Sequence, residues 1–168
     1  PQGFRGGAVS CGIKEVGNPR DDLALIYSDH PCVSAGTFTT NRVKAAPVKV
    51  TQAHLRAMDL RAVIANSGNA NACTGVPGIT DARQMAKTVA SSLGIRQREV
   101  GVCSTGVIGL PLPMQRMEEG LHTLPTQLTR DGGRRVAEAI MTSDTTVKEI
   151  AITATVGGKK IRIGACAK

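Results

Sequence analysis

Two stretches of alternating residues near the C-terminus constrain the fold of this chain most strongly. In 149–156, apolar side chains occupy every second position, and the same alternation returns in 159–165. Gly157 and Gly158 lie between the two stretches and suit a tight two-residue turn, because glycine adopts the positive φ angles that such turns require. The pattern therefore predicts an antiparallel β-hairpin with one apolar face.

The first sixty residues favour an antiparallel sheet. Short apolar runs predict four strands, with a turn at 17–20 between the first two, and a short helix follows at 52–58. The four predicted strands are 8–13, 22–28, 32–39 and 46–50. Strands that follow one another without a long crossover helix pair in antiparallel fashion.

The middle of the chain alternates between strand and helix patterns. Strands are predicted at 61–65 and 99–103, and helices at 81–93, 114–124 and 130–141. Thr80 suits the N-cap of the first of these helices, and Gly94 suits its C-terminal stop. The 168 residues contain no repeat or linker, so 1–168 is predicted to be a single domain.

Charge and composition disfavour several classes of function. Lys and Arg number 21 against 13 acidic residues, but the basic residues are scattered rather than clustered. With no Trp, one Tyr and two Phe, the chain lacks the aromatic surface on which single-stranded nucleic acid stacks. We therefore expect no nucleic-acid partner.

Cysteine, histidine and hydropathy patterns restrict the remaining choices. Five cysteines without a CxxC pair fit neither a disulfide framework nor a zinc site, and the three histidines lack metal-ligand spacing. No apolar run approaches the roughly 18 residues of a membrane span, and the first residues do not resemble a signal segment. These patterns predict a soluble cytoplasmic protein without a metal, a cofactor or a membrane partner.

Two polar stretches are the candidate sites. The apolar run 99–103 stops at Ser104, Thr105 and Gly106, where a turn could direct hydroxyl and amide donors at a substrate oxygen. The alternative is an ordinary turn whose hydroxyls satisfy the local backbone. The uncharged stretch 66–75 leaves a similar choice between a simple loop and a set of Asn side chains that orient an amide or amino-acid substrate.

Four blocks of the sequence are distinctive: NSGNANACTG at 66–75, STGVIG at 104–109, AIMTSDT at 139–145 and GACAK at 164–168. In these blocks the chain resembles one family, the glutamate N-acetyltransferases or ornithine acetyltransferases of arginine biosynthesis, in their alpha chain. Together they span almost the whole chain. Ser143 and Cys166 depart from the residues that the family often has there, without removing a residue to which a role is assigned.

The resemblance implies an α/β fold, a layered sandwich of helices and a mostly antiparallel or mixed sheet that a separate beta chain completes. It also implies a precursor that cleaves itself before a threonine, which becomes the nucleophile at the N-terminus of the beta chain. That threonine is absent from this chain. Its own α-amino group would act as the base, since such an amine titrates near neutral pH.

Residue roles and partners follow from the same resemblance. Thr105 and Gly106 would form the oxyanion hole, and Thr142 and Lys168 would bind the amino-acid substrate, with Lys168 offering a charge to a carboxylate. The reaction would move the acetyl group of N2-acetylornithine to glutamate, with acetyl-CoA as a further possible donor. Two alpha and two beta chains would form the assembly.

Two other functions remain open from the sequence. An amidase or aminopeptidase of the related self-cleaving fold would keep the oxyanion hole but accept water instead of an amine. A basic, non-enzymatic nucleic-acid module is the alternative from a different class, and the scattered charge and the scarcity of aromatic residues count against it.

Overall fold

The computed structural model describes residues 1–14 and 20–168, and it contains a mixed four-stranded sheet. The strands are β1 (Phe4–Val9), β2 (Leu23–Ser28), β3 (Ala62–Asn69) and β4 (Val100–Val107), in the order β1-β2-β3-β4. β1, β2 and β3 pair in antiparallel fashion, whereas β4 runs parallel to β3. A parallel pair needs a crossover connection, and a long helix supplies it between β3 and β4.

Helices cover both faces of the described sheet. They are α1 (Ala46–Ala57), α2 (Gly75–Leu93), α3 (Met114–Thr123) and α4 (Gly133–Ala139). The larger hydrophobic core packs residues of α1, α2 and α3 against one face, with Leu25, Met85 and Met117 among its members. A smaller cluster joins Ala8 and Ala24 of the sheet to Val136 and Ala139 of α4 on the other face.

The predicted hairpin is confirmed. It consists of β5 (Lys148–Val156) and β6 (Lys159–Ala167), which pair in antiparallel fashion around Gly157 and Gly158, both with positive φ. The hairpin contacts α4, and the α/β class with a mixed sheet is confirmed as well.

Two of the strands predicted near the N-terminus are wrong. Residues 32–39 form no strand, and Val33 is 91% exposed, because the alternating pattern finds no neighbouring strand to pair with. Residues 46–50 open helix α1, in which Ala46, Val50 and His54 are buried at helical spacing. Pro47 lies in the first turn of α1. Backbone N–H groups in the first turn have no acceptor within the helix, so the N–H that proline lacks costs no helical hydrogen bond.

Other boundaries shift. The first strand lies at Phe4–Val9 rather than 8–13, and helix 130–141 is shorter, at Gly133–Ala139. Helix α2 begins at Gly75, so Thr80 lies inside it and donates its hydroxyl to Val76 O instead of capping the helix. Gly94 ends that helix at a φ of 65°, as predicted.

The turn predicted at 17–20 falls mainly on residues 15–19, which lie outside the described residues. Within the described ranges, no helix combines the length and the apolar character that crossing a bilayer requires.

Candidate active site

Parallel pairing of β3 and β4 brings the two polar stretches side by side. In the register of the sheet, Ser67 lies opposite Thr105 and Gly68 lies opposite Gly106. The turn predicted at 104–109 is wrong in its first half, because β4 continues as a strand through Val107. Thr105 is half-buried and Gly106 is exposed, so both lie where a ligand can reach them.

Two glycines allow an unusually close approach of backbones at this point. Gly68 has a φ of +104° and Gly106 a φ of +134°, both in the region that favours glycine. A Cβ on Gly106 would lie 2.2 Å from the carbonyl carbon of Gly68. A side chain at Gly106 would therefore push β3 and β4 apart, whereas one at Gly68 would collide with the backbone of Ile13 and Lys14.

The outer edge of β4 is covered by α1 only in its first half. The Thr51 hydroxyl accepts from the Val102 amide and donates to the Val102 carbonyl, both at 2.8 Å. The backbone of Val102 thus points away from β3, and the two-residue period of a strand directs the backbone groups of Ser104 and Gly106 to the same side. The Val107 carbonyl faces the other way and accepts from Ala70 N at 2.9 Å, as this alternation requires. If the alternation continues to Gly106, where the register is irregular, its amide would lie on the outer edge of β4 and could donate to a bound ligand.

The Asn side chains of the 66–75 stretch hold the loop itself. Asn69 Nδ2 donates to the carbonyls of Leu110 and Pro111, and Asn71 Nδ2 donates to the Gly78 carbonyl. Asn66 Nδ2 donates to the Asn69 carbonyl. Of the two alternatives left open by the sequence, these contacts favour the structural loop.

Thr142 and Lys168 are brought together by one carboxylate. Asp144 Oδ2 accepts from the Thr142 amide at 3.2 Å and from Lys168 Nζ at 2.9 Å, while Oδ1 accepts from Lys148 Nζ at 2.6 Å. The hydrogen bonds from Lys148, Lys168 and Thr142, in that order, hold the pKa of the Asp144 carboxyl well below its usual range. The carboxylate is therefore ionised throughout the neutral range and fixes the Lys168 ammonium near Thr142.

One carbonyl connects this cluster to the strand pair. The Ala139 carbonyl, at the end of α4 and three residues before Thr142, accepts from the Ser67 hydroxyl and from Lys14 Nζ. Ser67 is the residue opposite Thr105 in the sheet. The structure thus links the two predicted pairs, Thr105 with Gly106 and Thr142 with Lys168, through hydrogen-bonded neighbours.

Lys14 lies in a partly desolvated position between charged groups. Burial lowers the pKa of its ammonium, Asp22 opposes that shift, and the charges of Arg20 and Lys168 add to it. Its Nζ donates to the carbonyls of Asp21 and Ala139, at 3.0 and 3.2 Å.

Sequence reasoning missed three residues of this neighbourhood. Asp144 lies inside the recognised block at 139–145, where an acid two residues after Thr142 was the available signal. Ser67 lies in the polar stretch, but nothing there distinguishes it from its neighbours. Lys14 carries no local signal, because its partner Ala139 is 125 positions away.

Comparison with known proteins places the chain in a family. Residues 5–168 match the model of the ArgJ family. The chain belongs to the ArgJ family.

Individual ArgJ proteins align over the whole chain. It is 49% identical over 168 residues to the arginine biosynthesis bifunctional protein ArgJ of Symbiobacterium thermophilum. It is 46% identical over 168 residues to the protein of the same name from Caldanaerobacter subterraneus subsp. tengcongensis. The chain spans only 42% and 41% of the lengths of these two relatives.

Two solved ArgJ-type structures have the same fold. The arginine biosynthesis bifunctional protein ArgJ of Bacillus halodurans superposes with a TM-score of 0.92 at 39% identity, over 99% of this chain and 86% of that one. The ornithine acetyltransferase of Mycobacterium tuberculosis, solved with ornithine, superposes with a TM-score of 0.89 at 40% identity, over 99% of this chain and 88% of that one.

Proposed function

We propose that this chain is the alpha part of an acetyltransferase that moves the acetyl group of N2-acetylornithine to glutamate in arginine biosynthesis. The observation that carries the proposal is the register of the sheet, which sets Thr105 and Gly106 beside Ser67 and Gly68, together with the Ser67 hydrogen bond to the Ala139 carbonyl three residues before Thr142. Family membership supplies the class of reaction, and the named relatives act in arginine biosynthesis.

The chemistry divides between this chain and a beta chain from the same precursor. An N-terminal threonine of the beta chain attacks the acetyl carbonyl of acetylornithine, while its own α-amino group takes the hydroxyl proton. The carbonyl oxygen becomes an oxyanion. When the C–N bond breaks, the proton passes to the departing ornithine amine, and the acetyl group remains as an ester on the threonine.

The second half-reaction reverses these steps with another amine. The glutamate amine attacks the ester, the oxyanion forms again, and N-acetylglutamate leaves with the threonine hydroxyl restored. In both halves the Thr105 hydroxyl and the Gly106 N–H donate to the oxyanion. A single donor of this kind contributes about 2.7–4 kcal/mol to the transition state in comparable sites.

Substrate binding falls to the cluster around Asp144. The Lys168 ammonium attracts a substrate carboxylate, and Thr142 offers a hydroxyl beside it. Because Lys148 and Lys168 together outweigh Asp144 by one charge, the cluster keeps a net attraction for an anion. Glutamate and acetylornithine each carry the carboxylate that this arrangement suits.

The assembly and the processing belong to the same proposal. The precursor cuts itself before the nucleophilic threonine, two alpha and two beta chains associate, and the enzyme works in the cytoplasm. Acetyl-CoA serves as a second acetyl donor, which makes the enzyme bifunctional.

Isotope exchange tests the acetyl-threonine intermediate in the fully processed enzyme. Labelled ornithine should enter acetylornithine in the absence of glutamate, because the first half-reaction is complete and reversible without the second substrate. Exchange without transfer to glutamate, together with release of acetate, would instead identify a hydrolase of the related fold. Acetylation of glutamate by acetyl-CoA is then measured separately, and its absence would limit the enzyme to the ornithine cycle.

A further inference from the structure

The Thr105–Gly106 pair and the Thr142–Lys168 pair of the proposed site come from different parts of the chain. The hydrogen bonds that connect their surroundings meet at the Ala139 carbonyl oxygen. Thr105 and Gly106 lie on β4, whereas Thr142 lies just after α4. The Ala139 carbonyl is the point at which side chains from the strand side and from the loop before β2 meet the end of α4.

The end of α4 is a position where donors from outside are needed. The last carbonyls of a helix have no intrahelical partner, and the C-terminal end carries partial negative charge. The last turn of α4 contains no basic residue of its own. The Lys14 ammonium and the Ser67 hydroxyl therefore supply the hydrogen-bond donors for the Ala139 carbonyl, and Lys14 also supplies a positive charge at this end of the helix.

A buried carboxylate holds the Lys14 backbone in place. Asp22 is 1% exposed and accepts from the amides of Cys11, Ile13 and Lys14, at 2.7, 2.5 and 3.3 Å. This loop passes directly over Gly68, since a Cβ there would lie 2.8 Å from Lys14 N. The Lys14 backbone is therefore fixed against the same glycine that Gly106 contacts.

The body of α4 is held by other contacts. Val136 and Ala139 pack against Ala8 and Ala24 of the sheet, and Arg135 donates to the Ala8 carbonyl at 2.6 Å. Loss of the Lys14 and Ser67 contacts should therefore affect the end of α4 and the segment that leads to Thr142, but not the packing of α4 against the sheet.

We infer that Lys14 and Ser67 are positioning residues, which together hold the Ala139 carbonyl and thereby set Thr142 at a fixed distance from Thr105 and Gly106. The inference rests on the proposed function for its kinetic consequence. A substrate bound at Thr142 and Lys168 must present its acetyl carbonyl to donors on another strand, and a displacement of about 1 Å costs up to about a hundredfold in rate. We call the two hydrogen bonds from Lys14 and Ser67 to the Ala139 carbonyl the clamp. Loss of the clamp lowers kcat more than it raises KM.

The experiment uses the complete, fully processed enzyme with the variants Lys14→Met, Lys14→Arg and Ser67→Ala. Ser92→Ala is the matched control, because it also removes a hydroxyl that donates to a backbone carbonyl, Thr88 O, but on the distant helix α2. Lys14→Met and Ser67→Ala are expected to lower kcat at least tenfold, with the KM for glutamate within threefold of the parent. Lys14→Arg, which restores the donors, and Ser92→Ala are expected to stay within threefold in both constants.

The double variant Lys14→Met/Ser67→Ala adds a test of the shared atom. Because both donors hold one carbonyl, its loss should be smaller than the product of the two single losses. A rise in KM with unchanged kcat in Lys14→Met would overturn the inference and make Lys14 a direct contact of the substrate carboxylate. Unchanged kinetics in both single variants would overturn it as well.

Hydrogen exchange separates failure of the clamp from failure of the proposed function. Amides 140–144 should exchange faster in Lys14→Met and Ser67→Ala than in the parent or Ser92→Ala, whatever reaction the enzyme performs. Equal exchange in all four proteins would overturn the clamp. If the two variants exchange faster than the parent but the parent moves no acetyl group, the clamp stands and the acetyltransferase is rejected. If Lys14→Met fails to fold, Ser67→Ala carries both measurements, with Ser92→Ala as its control.

Discussion

At the residue scale, the Asp144 carboxylate determines how much positive charge the site offers a substrate. Its two oxygens each accept from one lysine, Lys148 on Oδ1 and Lys168 on Oδ2. Lys168 is the better placed of the two for a substrate, because it shares Oδ2 with the Thr142 amide. Under the proposed function, a substrate carboxylate would contact Lys168 in the ground state and in the transition state alike.

Replacing Lys168 by Ala should therefore raise the KM for glutamate or acetylornithine more than it lowers kcat, since uniform binding affects KM. Lys148→Ala is the matched control, because it removes an equal charge from the other oxygen of Asp144 and should raise KM less. Steady-state kinetics with both substrates provide the measurement. A pure loss of kcat in Lys168→Ala would mean that this lysine acts on the chemical step.

Cys11 supplies a pH-dependent prediction. Burial, together with the nearby Asp22, Asp21 and Glu119 carboxylates, raises the pKa of the Cys11 thiol to about 12. In the unfolded chain the thiol ionises near about 8.5, so the unfolded state binds fewer protons above that pH and stability falls as the pH rises. Denaturant unfolding of the parent and of Cys11→Ala between pH 8 and pH 10.5 should show a shallower alkaline decline in the variant. If the free energy of unfolding fell equally with pH in the parent and in Cys11→Ala, the raised pKa of the Cys11 thiol would be contradicted.

At the element scale, helix α1 protects the outer edge of β4 through the side chains of Thr51 and His54. Thr51 Oγ1 satisfies both backbone groups of Val102 in a buried position, and His54 Nδ1 lies 2.7 Å from the Val100 carbonyl. Among the described residues, these α1 contacts reach Val100 and Val102 in the first half of β4, whereas Gly106 lies in its second half.

Thr51→Val keeps the β-branched shape but leaves both groups of Val102 without a partner. The free energy of unfolding should fall by about 1–3 kcal/mol, as expected for buried polar groups left unpaired. Thr80→Val is the control, because its hydroxyl bonds Val76 O on the exposed side of α2 and its loss should cost little. Chemical denaturation of the two variants measures the difference, and equal stabilities would show that the Thr51 contact is dispensable.

Elements with a strong local pattern could be predicted from the sequence, and so could the strands at 22–28, 61–65 and 99–103, which correspond to β2, β3 and β4. The short runs at 32–39 and 46–50 could not. The hairpin around Gly157 and the stop at Gly94 follow from glycine conformation and alternation alone. Over only five residues, the run 46–50 fits both the two-residue period of a strand and the 3.6-residue period of a helix. Pro47 suits the first turn of a helix, and that helix, α1, packs against β4, which is distant in the sequence. Residues 32–39 alternate in sequence but have no strand to pair with, which is a property of the whole sheet.

The site was predictable in part for the same reason. Thr105, Gly106, Thr142 and Lys168 lie in recognised blocks, and the structure connects them. Their roles stay predictions. Lys14 and Asp22 could not be found, because their contacts depend on how a loop crosses Gly68, and no local spacing encodes that crossing.

At the scale of the whole molecule, the hairpin presents apolar side chains that the rest of the described residues, 1–14 and 20–168, leave exposed. Ile150, Ile152, Val156, Ile161 and Ile163 are between 39% and 63% exposed. Contiguous exposed apolar surface of this kind marks an interaction site. The described chain also spans only about two fifths of the length of its ArgJ relatives.

The isolated 168-residue chain should therefore lack acetyl transfer and self-associate, whereas co-expression with the proposed beta chain should give both activity and a defined mass. Light scattering and the transfer assay check the two halves of this prediction. Acetyl transfer by the isolated chain would contradict the division of the chemistry between two chains. A defined mass other than two alpha and two beta chains would contradict the proposed assembly.

The central claim, that Thr105 and Gly106 stabilise the oxyanion, is tested most directly by Thr105→Val in the complete enzyme. Valine keeps the β-branched shape and removes one donor, so kcat should fall by about 10²–10³ with KM nearly unchanged. Thr105→Ser, which keeps the hydroxyl, is the matched control and should retain most of the activity. Mass spectrometry must first establish full cleavage of the precursor, because the same donors serve the proposed self-cleavage. A fully processed Thr105→Val enzyme that turned over within threefold of the parent would contradict the claim and leave Thr105 as a strand residue without a role in the chemistry.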